Sequence, residues 1–174
     1  MLAFKTMDLQ PILQNELVRL RPLEQTDLEA LYQVAKDPKI WEQHHVKRYL
    51  RDVFENFFAE SIASKGAFII YDKQSGDIIG SSRYMKVDGF PKMIEIGWTF
   101  IDREFWGGTY NASIKKMMIE HAFKYFDAII FKVNKKNKRS QKAVGKIGGR
   151  KIDDSEFNGL SKRYVDTHVF IIEK

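Results

Sequence analysis

Two short segments carry residue types that suit an anionic ligand. The first is Glu104-Phe105-Trp106-Gly107-Gly108-Thr109-Tyr110, which leads from an apolar strand into an amphipathic helix expected from about Asn111 to Tyr125. A helix N-terminus presents free backbone N–H groups at the positive end of its dipole. Glycines just before it let a phosphate approach the backbone closely. The turn is a candidate pyrophosphate cradle, or else an ordinary strand-to-helix connection. It is neither GxGxxG nor GxxxxGK(S/T), so no nucleotide fingerprint fixes the ligand. The second segment is Asn134–Lys142, NKKNKRSQK, after the next strand. Asn137 and Ser140 can hydrogen-bond a polar ligand, and Lys135, Lys136, Lys138, Arg139 and Lys142 can pair with phosphates. The alternative is a solvated basic turn whose Asn or Ser caps the following helix.

The histidines offer less. His44 and His45 are adjacent, with no cysteine or close carboxylate pair, so no metal site is expected. His121 falls on the apolar stripe of a helix and reads as core. His168 lies on the last strand and reads as packed or exposed. The chain has no cysteine at all, which excludes disulfides, thiolate zinc sites and a cysteine nucleophile.

These residues must be held by ordinary folded structure. The 174 residues suit one domain spanning 1–174, and a 44% hydrophobic content supplies a core. Lys+Arg 29 against Asp+Glu 23 leaves a net charge of +6, compatible with an anionic ligand or weak nucleic-acid contact. Neither a secretory h-region nor a membrane-length apolar run stands out, so a cytoplasmic protein without membrane partners is expected.

Periodicity then gives the element order. Residues 16–23 alternate as a strand, which Pro22 ends or places at an edge. Thr26 is a plausible cap for a helix that Asp37-Pro38 stops. A second helix is expected near Val46–Ala63. Strands are expected at 67–71, 78–85 and 92–101. On the last of these Ile94, Ile96, Trp98 and Phe100 should share one face, with Glu95, Gly97 and Thr99 on the other. A helix, a strand at 128–133 and a helix at 140–147 ended by Gly148-Gly149 follow. Residues 150–152 and 164–172 close the chain as strands, joined through a loop at 157–162. The class is mixed α+β, with a helical crossover between central strands. Repeated βαβ units do not fit this order.

In this order, Trp98-Thr99-Phe100-Ile101, Phe105-Trp106-Gly107-Gly108-Thr109-Tyr110-Asn111, His121-Ala122-Phe123, Asn137-Lys138-Arg139-Ser140 and Lys146-Ile147-Gly148-Gly149 resemble the GNAT acyl-CoA N-acyltransferases. The similarity is greatest to the branch with the ribosomal-protein N-terminal acetyltransferases, which the opening Leu17–Leu23 and Asp27–Leu31 also resemble. It spans about residues 14–172. The resemblance implies a mostly antiparallel sheet of about seven strands, splayed at the middle and flanked by about four helices. It implies acetyl-CoA as co-substrate, lying along Trp98, Thr99, Phe100 and Ile101. The pyrophosphate would meet Trp106, Gly107, Gly108, Thr109, Tyr110 and Asn111, with Asn137 and Ser140 near the pantetheine or nucleotide. Thr109 stands where the family has a second glycine or alanine. Val144 stands where it often has a proton-donating tyrosine.

The implied reaction is acetyl transfer to a primary amine, on a small molecule or a protein N-terminus. An unperturbed lysine amine has a pKa of about 10.4, so a base or a proton wire assists at neutral pH. Glu95 is the candidate base, and a backbone N–H near Phe100 would polarise the carbonyl. With Val144 in the acid's place, Tyr110, Tyr164 or water would protonate the thiolate. The acceptor would lie against residues 37–65 and 155–162. There Trp41, Tyr49, Phe54, Phe57 and Phe58 either line a pocket or pack the helices onto the sheet. Family members often self-associate, so a homodimer is an expectation of the resemblance alone. Two other readings stand beside this one. An acyl-CoA-binding domain without catalysis fits Thr109 and Val144. A nucleic-acid or ribosome-binding module fits the basic 132–146 segment, but gives the glycine turn no role.

Overall fold

The computed structural model describes residues 7–174. Its elements are β1 (Leu13–Gln14), β2 (Val18–Pro22), α1 (Leu28–Ala35), α2 (Arg51–Ala63), β3 (Ala67–Asp72), β4 (Ile78–Lys86) and β5 (Met93–Ile101). There follow α3 (Tyr110–Ala122), β6 (Ala128–Asn134), α4 (Lys138–Lys146), β7 (Arg150–Lys151) and β8 (Thr167–Glu173). The strands form one sheet in the order β1-β2-β3-β4-β5-β6-β8-β7. Among the described residues only β5 and β6 run parallel, as expected for strands joined through the crossover helix α3. The eighth strand is the two-residue β1, too short to leave a periodic signal.

Three hydrophobic clusters hold the layers. Ile114, Met118 and Ala122 of α3 and Val144 of α4 cover one face, against Ile94, Ile96 and Ile101 of β5. Leu31, Val34 and Ala35 of α1 and Phe54, Phe57 and Phe58 of α2 cover the other, with Ile69 and Phe100. Trp41 is buried in that second cluster and Tyr49 packs against it. The aromatic residues of 41–58 therefore pack helices onto the sheet. A third cluster, with Ile130, Leu160 and Ile171, closes the β6–β8 end.

Several boundaries depart from the sequence reading for local reasons. Helix α2 begins at Arg51, not Val46. Leu50 is its extended N-cap residue (φ −76°, ψ 133°) and is 43% exposed rather than on the inner face. Thr26 does not cap α1. Asp27 takes that place, and its carboxylate accepts two hydrogen bonds from Arg21 (2.8 and 2.7 Å) and one from the Glu24 N–H (2.8 Å). Helix α4 starts at Lys138 because Asn137 Oδ1 accepts the Ser140 N–H at 3.0 Å. Tight 3₁₀ turns over Glu156–Arg163 delay β8 to Thr167, with Phe157, Asn158 and Gly159 all left-handed.

The largest departure is on β5. Arg83 pairs with Gly97 and Ser81 with Phe100, so β5 takes three steps where β4 takes two. The extra residue is a β-bulge, and Trp98 sits there at φ +52°. Alternation inverts across it. Ile94 and Ile96 face α3, but Trp98 and Phe100 pack toward α1 and α2. The expectation of one apolar face through all four residues is therefore wrong. A left-handed tryptophan costs about 1–2 kcal/mol, a strain usually kept where backbone geometry serves a site.

Candidate active site

The parallel ladder between β5 and β6 is short. It pairs Met93 with Ala128, Ile94 with Ile129 and Glu95 with Ile130, then stops. Beyond Glu95 the strand stays paired to β4, and beyond Ile130 β6 stays paired to β8. The sheet is thus parted at its middle. A cavity of about 510 Å³ fills the parting, between Ile96–Ile101 on one wall and Phe131–Asn134 on the other. Glu95 stands at its apex and the Trp106–Gly108 turn at its far end.

The turn meets the demands of a phosphate cradle. Gly107 has φ +74°, and a Cβ on Gly107 or Gly108 would meet no atom within 4 Å. Glycine is kept there by backbone conformation and leaves open space above it. Helix α3 makes its first backbone bond from the Ser113 N–H to the Thr109 carbonyl (2.8 Å), so the N–H groups before Ser113 have no helical partner. The Trp106 indole N–H donates to the Ile101 carbonyl (3.0 Å) and the Arg139 guanidinium lies 3.9 Å over the same indole. Arg139 also donates to the Ile40 carbonyl (3.0 Å), tying the start of α4 to the segment before α2.

Of the residues picked out by sequence, Glu95, Trp98, Thr99, Phe100, Ile101, Trp106, Gly107, Gly108, Asn111, Asn137 and Ser140 line this one cavity. Thr109 and Tyr110 do not. Tyr110 is turned away, and its hydroxyl donates to Asp72 Oδ1 at 2.8 Å while its ring packs on Phe105. The Asp72 carboxylate raises the Tyr110 pKa further from neutrality. Tyr110 is therefore misplaced as a proton donor to this cavity. Its replacement by Phe is expected to lower the melting temperature and to leave turnover unchanged, which thermal melts and a rate assay would check. Tyr164 and Val144 do line the cavity. His121 is buried, with Nε2 3.1 Å from the Asp8 carbonyl oxygen. His168 lies outside the cavity lining, among Lys135, Lys138 and Lys151. His44 lines the cavity near Asn137, and burial, with Arg48, Arg139 and His45, pushes its imidazole down to about 4.

Glu95 is buried and its Oε2 pairs with Lys132 Nζ at 2.8 Å. Burial raises its pKa, while the charges of Lys132 and Arg83 oppose the rise. Lys132 in turn lies 4.4 Å over the Tyr164 ring. Arg83 stacks 3.8 Å over Trp98, donates to the Glu60 carbonyl (3.2 Å), and keeps its Nε buried without a partner among the described residues. The Arg48 guanidinium lies 4.5 Å over Phe57 and lines the same cavity. The Glu95 side of the bulge is thus richer in positive than in negative charge.

Lys115 was missed by sequence. It is 5% exposed, lines the cavity, and Nζ donates to Thr99 Oγ1 and, at 3.4 Å, to Ser82 Oγ. Burial alone lowers its pKa to about 7. The signal available was its spacing, one turn after Asn111 and just before Met118 on the inner stripe, but its type reads as solvent-facing. An unfolded lysine near 10.4 binds more protons than this native one between about pH 7 and 10, so stability rises with pH through that window. The full effect has an upper limit of about 5 kcal/mol. Lys115→Met is expected to stabilise the fold by about 1–3 kcal/mol at pH 7 and to flatten that pH dependence, as denaturant melts at several pH values would show. The Ser82 and Thr99 hydroxyls lie 2.8 Å apart and can satisfy each other after the change.

A parted mixed sheet with a glycine turn leading into the crossover helix defines the architecture of the acyl-CoA N-acyltransferases. Residues 18–150 match the family model for the acetyltransferase (GNAT) domain, and the chain belongs to that family. No curated protein matches the sequence. Solved structures share the fold at low identity. A GCN5-related N-acetyltransferase from Brucella melitensis superposes with a TM-score of 0.78 at 19% identity, over 94% of this chain and 79% of that one. A spermidine N-acetyltransferase from Vibrio cholerae, in complex with CoA and spermine, gives 0.66 at 19% identity, over 91% and 96%. RimJ from Mycobacterium smegmatis, in complex with CoA-disulfide, gives 0.69 at 17% identity, over 94% and 86%.

Proposed function

We propose that the chain transfers an acetyl group from acetyl-CoA to a primary amine, on a small molecule or a protein N-terminus. The observation that carries this reading is the parting of β5 from β6 beyond Glu95 and Ile130, with the open Gly107-Gly108 turn at its far end. An elongated ligand with amide groups along its length and phosphates at one end suits such a slot. The backbone groups of the walls can pair with the amides, and the turn and the α3 N-terminus can take the phosphates. CoA complexes of the Vibrio cholerae and Mycobacterium smegmatis proteins support the same ligand.

Acetyl-CoA supplies a thioester carbonyl and a thiolate leaving group. The chain supplies the rest. Trp98 and Thr99 fall in the bulge, outside the β4 pairing that resumes at Phe100, and a backbone N–H freed there can stabilise the oxygen that gains charge. Glu95 accepts a proton from the incoming amine, and its raised pKa makes it a stronger base than an exposed carboxylate. Lys132 holds that carboxylate in place at 2.8 Å. Arg48, Arg83 and Lys132 make a polycation such as spermine a poor electrostatic match and favour an acceptor with little further positive charge.

The test is calorimetry with acetyl-CoA followed by thiol release across a panel of amines. Saturable binding and amine-dependent release are expected. No binding overturns the proposal, and the basic 132–146 segment then becomes the lead. Tight binding with no release on any amine points instead to an acyl-CoA-binding domain without catalysis.

A further inference from the structure

Lys115 has no evident structural purpose. A buried amine whose only polar partners among the described residues are the Thr99 and Ser82 hydroxyls is a net cost to the fold, since those hydroxyls can bond each other. No carboxylate lies within ion-pair distance of it among the described residues, and no charged neighbour perturbs it from α3, β4, β5 or β6. The groups packed around Nζ are Ser82 from β4, Thr99 from β5 and the Phe131 ring from β6 at 5.9 Å. Yet Lys115 lines the same cavity as Glu95.

The bulge places these two groups on opposite faces of β5. Glu95, Trp98 and Phe100 look toward α1 and α2, whereas Thr99, with Lys115 against it, looks toward α3. A carbonyl held at the edge of β5 near residues 98–100 would have a proton acceptor on one side and a proton donor on the other. Acyl transfer to an amine needs that division, because the amine loses a proton as the sulfur gains one. Tyr110 is turned away to Asp72, and Tyr164 sits beside Lys132 on the Glu95 side.

Resting on the acetyltransferase reading, we propose that Lys115 is the proton donor to the departing CoA thiolate. The amine nitrogen forms the new bond to the acetyl carbon, and the carbon–sulfur bond breaks with its electron pair on sulfur. The proton lost by the amine goes to Glu95. The ammonium of Lys115 gives one proton to sulfur, directly or through the Thr99 hydroxyl, and becomes neutral. Solvent restores both groups before the next turnover. A group near 7 is half protonated at neutral pH and can both give and regain a proton there.

Lys115→Met and Lys115→Arg test this in the intact chain with acetyl-CoA and the best amine of the panel. Both are expected to keep the calorimetric affinity for acetyl-CoA within about threefold and to lower kcat by about 10²-fold. In wild type kcat falls as pH rises through the Lys115 titration, and that limb should vanish in both variants. Arginine keeps the charge but does not release a proton, so it separates proton donation from simple charge stabilisation. The melting temperature of Lys115→Met should rise while its turnover falls, a pairing that a structural lysine would not give. Unchanged kcat in Lys115→Met, or a basic limb that persists in it, overturns the assignment. So does full activity in Lys115→Arg, or a large kcat loss in Tyr164→Phe alone. Absence of acetyl-CoA binding in the wild type instead overturns the acetyltransferase reading beneath it.

Discussion

Replacing Glu95 with Gln is expected to lower kcat by about 10²- to 10⁴-fold, the usual worth of a general base. The change keeps the shape of the side chain and leaves Lys132 a neutral oxygen to bond at the same place. The fold should survive, because a buried carboxylate with a raised pKa is not a strong source of stability. The pH profile gives the sharper signature. In the proposed role Glu95 would act as a base only when ionised, and burial raises its pKa from the ordinary carboxylate value. Turnover should therefore fall as the pH drops through that raised value. Removing the nearby cation with Lys132→Met takes away a charge that holds Glu95 down, so the acid limb should move to still higher pH. An acid limb unmoved by Lys132→Met, or a Glu95→Gln enzyme with wild-type kcat, would show that another group takes the amine proton.

The second large effect is expected at Gly107. A glutamate there finds space, since nothing lies within 4 Å of its Cβ. It must adopt φ +74°, at a cost of about 1–2 kcal/mol to the fold. Its carboxylate would stand where the proposed function puts the pyrophosphate. Two unit charges about 4 Å apart at an effective dielectric of about 20 repel by about 4 kcal/mol. Acetyl-CoA affinity should then drop by at least about 10²-fold in calorimetry, with an intact circular dichroism spectrum. Gly107→Asn separates charge from backbone strain, because asparagine tolerates the left-handed region. It should bind within about tenfold of wild type. Equal binding by wild type and Gly107→Glu would remove the phosphates from this turn.

The fold class and the order of the larger elements were legible because their periodicities are strong. Ile114, Met118 and Ala122 mark α3, and Ile129 to Val133 mark β6, whatever the tertiary context. The glycine turn was legible because no other residue suits its backbone so well. What escaped was set by three-dimensional context. The two residues of β1 carry no period. The bulge at Trp98 depends on how β4 and β5 fit together, so simple alternation put Trp98 and Phe100 on the wrong face. Tyr110 was attractive by its place beside the glycines, but Asp72 on a distant strand claims its hydroxyl. Lys115 escaped for the opposite reason, because residue type argued for solvent while helix position argued for the core.

The short parallel ladder also sets the mechanics of the cleft. Three residue pairs, from Met93–Ala128 to Glu95–Ile130, act as the pivot between the β1–β5 plate and the plate of β6, β8 and β7. With a rise of about 3.3 Å per residue, the far end of β5 at Ile101 lies about 20 Å from that pivot. A rotation of 10° would carry the rim by about 3.5 Å but would shift a point beside Glu95 by only a fraction of an ångström. Any widening at the far end would have to break the contacts of Arg139 with Ile40 and Trp106, whereas the geometry around Glu95 would hardly change. Any accommodation belongs to the lever's tip, and accuracy belongs to its fulcrum.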